Sequence, residues 1–239
     1  MITKIFGPPG TGKTTTLLNH VKNFILNEKI DPKKIGYFAF TKKAAREAKE
    51  RLLKDKEVSH LLTKDDLENF RTLHSFAFQT IGMSEDRVMQ SEHYEQIGRD
   101  LNLRVTDGGD ESGYLSFNSE YFKLINKARV KNISVEEEFN SNEWSREIDY
   151  ETLGHIYLNY NNFKKNNTLY DFNDMIDLFV KKKHECQELE YIFIDEAQDL
   201  SPIQWNMFDV LKTKCKHLFL AGDDDQAIFA WAGADVKRF

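Results

Sequence analysis

The chain has little of what would build a covalent or metal-stapled fold. Its two cysteines, Cys186 and Cys215, show no metal-ligand spacing and form no disulfide framework. No window approaches the ~18 consecutive apolar residues of a membrane span. The opening "MITKIFGPPG" lacks the basic, apolar and small-residue order of a secretory signal. A cytoplasmic, reducing location with no membrane contact is therefore expected. Internal repeats and long low-complexity tracts are also missing. At 239 residues, 40% apolar and 30% charged, the chain is long enough for one large domain or two modest ones with a true core.

An overall positive charge is absent too, since 33 basic side chains face 39 acidic ones for a net −6. Taken globally, that argues mildly against a polyanionic partner, but the charge is unevenly placed. Residues 83 to 168 hold sixteen acids and ten bases, which accounts for the whole deficit. Lys33 to Lys56 carries nine bases and three acids. Such a stripe reads either as a solvated helix face or as a surface for a phosphate backbone.

The apolar pattern then sets the architecture. "ITKIF", "IGYFAF", "YIFID" and "HLFLAGD" are short apolar runs that read as strands, and "NFRTLHSFAF" reads as a strand or a strand-to-helix turn. Leu17, Val21, Phe24 and Ile25 recur at helical spacing, and "TKKAAREAKERLLK" follows as a second helix. Alternating strands and helices predict a parallel sheet covered on both faces, with ligands at the carboxyl ends of its strands. Between residues 83 and 168 the alternation stops. "YFKLINKARV" and "YETLGHIYLNYNNF" have helical periodicity, and "TDGGDESG" reads as a polar loop tip. A helical insertion is expected there, rejoining the α/β domain near "LYDFNDMIDLFV".

"GPPGTGKT", Gly7 to Thr14, fits the G-x-x-x-x-G-K-[ST] phosphate loop at every fixed position, between a strand and a helix. Gly7, Pro8, Pro9, Gly10, Thr11 and Gly12 form a loop whose glycines let backbone N–H groups approach phosphates, and Lys13, Thr14 and Thr15 open the helix whose dipole faces them. Lys13 suits the β- and γ-phosphates of ATP, and the Thr14 hydroxyl suits Mg²⁺. "YIFIDEAQD" supplies the second half. Asp195 emerges at a strand's end to hold Mg²⁺ through water, and Glu196 beside it is the candidate general base. The loop alone would also suit a ring-forming AAA+ ATPase. The 182 residues from Lys13 to Asp195 and the continuation "DEAQD … GDDDQAIFAWAGA" argue against that.

With those segments in place the chain closely resembles the UvrD/Rep/PcrA branch of superfamily 1 DNA helicases, over most of its length except the insertion. "GPPGTGKTTTL" looks like motif I, "FAFTKKAAREAKERL" like motif Ia, and "FRTLHSFAF" like the next DNA-contacting motif. "YDFNDMI" resembles the segment before motif II, "IDEAQDLSPIQ" motif II, and "LAGDDDQAIFAWAGA" motif III. The resemblance implies a RecA-like P-loop NTPase domain of α/β class with a parallel sheet and an inserted helical subdomain. Its parts would be motor domain 1A over residues 1–82 and 169–239 and a 1B-like insertion over 83–168.

It further implies that Gln226 senses the γ-phosphate, and that Gln198 and Asp199 link the nucleotide to motif III. Phe229 and Trp231 would stack on bases of single-stranded DNA, and Phe40 and Thr41 would contact it. Thr72, His74 and Ser75 would lie at its backbone. Base stacking binds strands without reading their sequence, as a motor requires, at ~1–3 kcal/mol per base. Phe40 as the last core residue of its strand, His74 as a satisfied loop histidine and Trp231 as a core residue are the structural alternatives.

The expected parent enzyme is an ATP- and Mg²⁺-dependent 3′-to-5′ helicase or translocase acting at a duplex junction, in the cytoplasm, the nucleoid or, if phage-encoded, a host cytoplasm. The family's second motor domain, 2A, would follow residue 239 with its arginines. An arginine finger is worth ~10³–10⁵ in rate, so feeble hydrolysis is expected from this chain alone. Trp231-Ala232 stands where relatives often show Trp-Arg, the stretch before "ITKIF" is expected to leave no room for a Q motif, and Lys49 stands where relatives often place an arginine near the phosphates. An ATPase acting on protein partners, a decayed DNA-binding relic and the motor of a helicase-nuclease remain as other readings.

Overall fold

The computed structural model describes residues 1–105, 107–109, 115–141, 144 and 148–223. Strand β1 (Ile2–Phe6) leads through the phosphate loop into helix α1 (Lys13–Leu26), and β2 (Ile35–Phe38) leads into α2 (Lys42–Lys54). A two-residue strand β3 (Phe70–Arg71) turns directly into α3 (Leu73–Thr80). After the segment that follows, α8 (Phe172–Lys181), β6 (Leu189–Ile194), α9 (Pro202–Thr213) and β7 (Cys215–Gly222) complete the lobe. The five strands form one parallel sheet in the order β1-β7-β6-β2-β3.

The α/β expectation holds, and the packing shows why the strands read as nearly continuous apolar runs. Alternate residues face opposite layers, as the two-residue strand period requires. Phe38, Ile192, Ile194, Leu218 and Leu220 join a core under α3, α8 and α9. Tyr37, Phe193, Phe219 and Ala221 join a second core under α1 and α2. Helix α1 contributes Leu17, Leu18, Val21, Phe24 and Ile25 to that second core, and α2 contributes Ala45, Ala48 and Leu52. Burying a residue such as Leu17 or Phe193 is worth roughly 1.5–3 kcal/mol. Both cysteines are free thiols, and burial pushes Cys186 up to about 11. Among the described residues no helix is long and apolar enough to cross a membrane.

Between α3 and α8 lie α4 (Ser91–Asp100), β4 (Asp107–Gly109), β5 (Leu115–Phe117), α5 (Glu120–Lys131), α6 (Val135–Phe139) and α7 (Tyr150–Asn167). They surround an apolar cluster of their own that includes Tyr94, Ile97, Phe122, Ile125, Leu153 and Ile156. The segment is not purely helical, because β4 and β5 pair as an antiparallel ribbon. Phe117 is buried in the cluster and anchors that ribbon, so part of the glycine-rich stretch read as a loop tip is strand. The chain enters and leaves side by side. Met89 N–H donates to the Tyr170 carbonyl (2.9 Å) and Tyr170 N–H to that of Arg87 (2.8 Å).

Candidate active site

The phosphate loop owes its shape to three glycines. A Cβ on Gly7 would sit 2.6 Å from Thr11 Oγ1, while Gly10 (φ 79°) and Gly12 (φ 87°) adopt left-handed conformations that side chains resist. Gly7 N–H donates to the Gly222 carbonyl, tying the loop to the end of β7, and Thr11 closes it through its hydroxyl to the Pro8 carbonyl (2.7 Å). Gly12 gives α1 no side-chain cap, and the first turn holds no acid. The free N–H groups and the positive dipole end are thus left to an anion. Lys13 is 7% exposed, and its ammonium reaches back to the Gly7 (2.6 Å) and Pro8 (3.4 Å) carbonyls.

Asp195 stands where β6 ends, 6% exposed. Its Oδ2 accepts from Thr14 Oγ1 (2.7 Å) and from the Tyr37 hydroxyl (2.8 Å), and its Oδ1 accepts from Glu196 N–H (3.1 Å). Burial and then the Asp195 charge push the Tyr37 phenol far above its ordinary value, which keeps it a donor. Thr14 and Asp195, both hard oxygen donors, therefore meet within one hydrogen bond across 181 residues. Among the described residues no group of three or more His, Cys, Asp or Glu side chains could hold a metal by itself. Such a sparse set suits Mg²⁺, which keeps waters and borrows phosphate oxygens.

Glu196 adopts a left-handed backbone (φ 52°, ψ 47°) that is uncommon for a side-chain-bearing residue and costs on the order of 1 kcal/mol. The turn brings its carboxylate to Gln198 Nε2, which donates to Oε2 at 2.9 Å. The other end of buried Gln198 accepts from Asp223 N–H (3.1 Å). One amide thus spans the candidate base and the end of β7, where "DDDQ" begins. Gln226, Phe229 and Trp231 lie outside the described residues.

The expected DNA contacts sit at the carboxyl ends of β2 and β3, joined by Ala39 N–H to the Arg71 carbonyl (3.2 Å). Thr41 and Thr72 are helix caps: their hydroxyl oxygens accept from Ala44 N–H (3.1 Å) and Ser75 N–H (3.2 Å), starting α2 and α3. Phe40 is half-buried just past β2. His74 packs edge-on against Phe172, with ring centroids 5.6 Å apart. Burial lowers its pKa to about 4 against the opposing charge of Asp171, which favours the neutral imidazole.

Helix α2 turns two of its cations to different neighbours. Ala45, Ala48 and Leu52 define the buried stripe of α2, and Lys49 and Arg51 flank it on opposite sides. Lys49 has its pKa lowered by burial and then by the charge of Arg71. Arg51 instead donates to Thr15 Oγ1 (2.8 Å) on a cleft of about 460 Å³ between α1 and α2, beside Asn19 and Lys22. The 100° helical step between residues carries this distinction, since two positions along α2 change the side. Tyr37 was also missed, because "IGYFAF" reads only as an apolar strand.

A sequence profile described as the UvrD/REP helicase N-terminal domain matches residues 2–239. The chain is similar to a probable DNA helicase II homolog of Mycoplasma genitalium, with 30% identity over 96% of this chain and 34% of the relative. It is similar to ATP-dependent DNA helicase Rep of Buchnera aphidicola, with 26% identity over 98% and 35%. ATP-dependent DNA helicase PcrA of Staphylococcus aureus matches with 27% identity over 98% and 33%. The chain spans about a third of the length of these curated relatives.

Proposed function

The chain belongs to the UvrD/REP helicase N-terminal domain family, and we propose that it is the ATP-binding lobe of an ATP-dependent motor that moves on single-stranded DNA and opens duplex junctions. The observation that carries this is the bond from Thr14 to Asp195, with Glu196 and Gln198 continuing from it to Asp223. It puts the phosphate loop, the candidate metal oxygens and the candidate base in one connected group.

In this reading the phosphates of ATP occupy the Gly7–Thr14 loop, and Lys13 exchanges its carbonyl partners for phosphate oxygens. Thr14 and Asp195 would hold Mg²⁺, which when bound neutralises phosphate charge. Glu196, oriented by Gln198, accepts the proton of the attacking water. Gln198 passes any shift of Glu196 to Asp223 and on toward Gln226. Phe40, Thr41, Thr72 and Ser75 line the strand's path at the sheet edge, with Phe229 and Trp231 as stacking residues and 3′-to-5′ as the direction. Residues 83–168 form the accessory insertion. The remaining two thirds of a relative-sized protein would complete the ATP site, so turnover by this chain alone is slow.

The test is equilibrium binding of a fluorescent nucleotide, with ATP turnover measured with and without oligo-dT. Mg²⁺-dependent binding that Lys13→Ala weakens more than ~10-fold is expected, since a charge-assisted phosphate contact is worth about 1.5–3 kcal/mol. Rapid turnover indifferent to DNA would overturn the motor reading.

A further inference from the structure

Tyr37 sits in the middle of β2 and has no exposed surface. Strand alternation would give this position an apolar side chain facing α1 and α2, and its ring does stack on Phe70 (centroids 5.3 Å, planes 8° apart) and lie over Phe193 (6.5 Å). A phenylalanine would fill that space. The hydroxyl alone is unexplained by packing, and a buried hydroxyl without a partner is costly.

That hydroxyl donates to Asp195 Oδ2 at 2.8 Å. The contact follows from strand order, because β2 and β6 are neighbours in register, with Tyr37 opposite Phe193 and Phe38 opposite Ile194. Asp195 is the next residue along β6, and its own N–H donates to the Phe38 carbonyl (2.9 Å). The carboxylate is thus gripped from three directions. Thr14 approaches from α1, Glu196 N–H from the following turn, and Tyr37 from the core.

The three donors differ in what nucleotide loading asks of them. Thr14 can keep its proton on Oδ2 while an oxygen lone pair meets a cation, but it opens the helix behind the phosphate loop and shifts with that loop as it loads. The Glu196 N–H moves with the turn that carries the base. Tyr37 is fixed by its stacked ring and by the sheet, and it touches neither phosphate nor solvent. It is the donor that can hold the carboxylate plane independently of the loop and of the turn.

We propose that Tyr37 is a positioning residue for the divalent cation of the nucleotide site, holding the Asp195 carboxylate in its metal-ready orientation from inside the sheet. The inference rests on the nucleotide reading given above. Groups that orient a metal-holding side chain typically change metal affinity 10- to 100-fold when removed, and a single neutral hydroxyl belongs at the low end of that range.

The experiment uses N-methylanthraniloyl-ADP and the 239-residue chain, titrated first without divalent cation and then with Mg²⁺ at fixed nucleotide. Tyr37→Phe removes the hydroxyl and keeps the stacked ring. The expected result is a Mg²⁺ midpoint raised ~10-fold with nucleotide affinity in EDTA unchanged. Phe70→Leu removes one ring of the stack while the strand and Phe193 still hold Tyr37 and its hydroxyl, so its Mg²⁺ midpoint should move much less than that of Tyr37→Phe. An unchanged or lowered midpoint in Tyr37→Phe overturns the proposal, as does an equal shift in Phe70→Leu, which would make the role one of packing. A Tyr37→Phe chain that does not fold would overturn it as well, by making the hydroxyl a folding requirement. Failure of the wild-type chain to bind the probe with Mg²⁺ would instead remove the nucleotide reading beneath it.

Discussion

At the scale of single residues, the site depends on side chains that join segments distant in sequence. Gln198 is the clearest case, since its amide donates to Glu196 and accepts from the Asp223 backbone, 25 residues away. Gln198→Ala would take a partner from a buried N–H and release the Glu196 carboxylate. Losing such a bond costs about 1–3 kcal/mol, measurable by urea denaturation. Nucleotide affinity should stay near the wild-type value, because the phosphate loop is untouched. The factor by which oligo-dT changes that affinity should fall toward one, since two linked sites share a single coupling energy. Gln198→Ala retaining the full factor would rule out this amide as the connection.

At the scale of elements, the segment between α3 and α8 is held to the lobe by a compact set of charges. Arg129 of α5 pairs with Asp171, Asp174 (2.7 Å) and Asp177 (3.6 Å), and Lys164 of α7 reaches Asp171 (2.6 Å) and Asp174 (2.8 Å). Tyr160 adds a hydroxyl to Asp171 (2.6 Å), which also caps α8. Burial alone would raise the Asp171 pKa, but Arg129 and Lys164 overcome it and hold the carboxyl well below the usual range. Its stabilisation is therefore present above ~4, the ordinary aspartate value, and is lost as pH falls below that. His74, lowered from 6.5 to about 4, acts in a higher window. The unfolded chain binds its proton first, so stability falls between pH ~6.5 and ~4, by roughly 2–3 kcal/mol. His74→Gln should flatten that decline in the urea midpoint, whatever it does to stability at pH 7. An undiminished slope would place the titration elsewhere. Asp171→Ala should cost about 3–5 kcal/mol at pH 7, because it leaves buried cations short of a partner.

For the whole molecule, strand order does most to build the site. The chain runs from β1 out to β2 and β3 and then returns to place β6 and β7 between β1 and β2. That return brings the phosphate loop, Asp195 and Asp223 to one end of the sheet. The segment from 90 to 169 takes no part in this arrangement. Its apolar cluster is separate from the two cores of the lobe, and the flanking residues Arg87, Met89 and Tyr170 are hydrogen-bonded to one another. Replacing residues 90–169 with a short glycine linker should therefore leave a folded lobe that binds nucleotide within about threefold of the full chain, a difference under roughly 0.7 kcal/mol. Circular dichroism and the fluorescent-nucleotide titration check this. Loss of folding would mean that the sheet and the segment share one core.

The sequence by itself determined the phosphate loop, the strands that end in acid, the alternation that makes a covered parallel sheet, and the family. These are legible because each is local. A glycine pattern, a two-residue period or a 3.6-residue period is written within a few neighbours. Tertiary structure alone decided that Tyr37 meets Asp195 across 158 residues, that Arg51 rather than Lys49 faces α1, and that Arg129 finds Asp171 from another helix. It also turned part of a glycine-rich stretch into a ribbon by burying Phe117. The physical reason is common to all four. Which strand or helix lies beside which is set by crossover connections and shared burial, and no local periodicity records that choice.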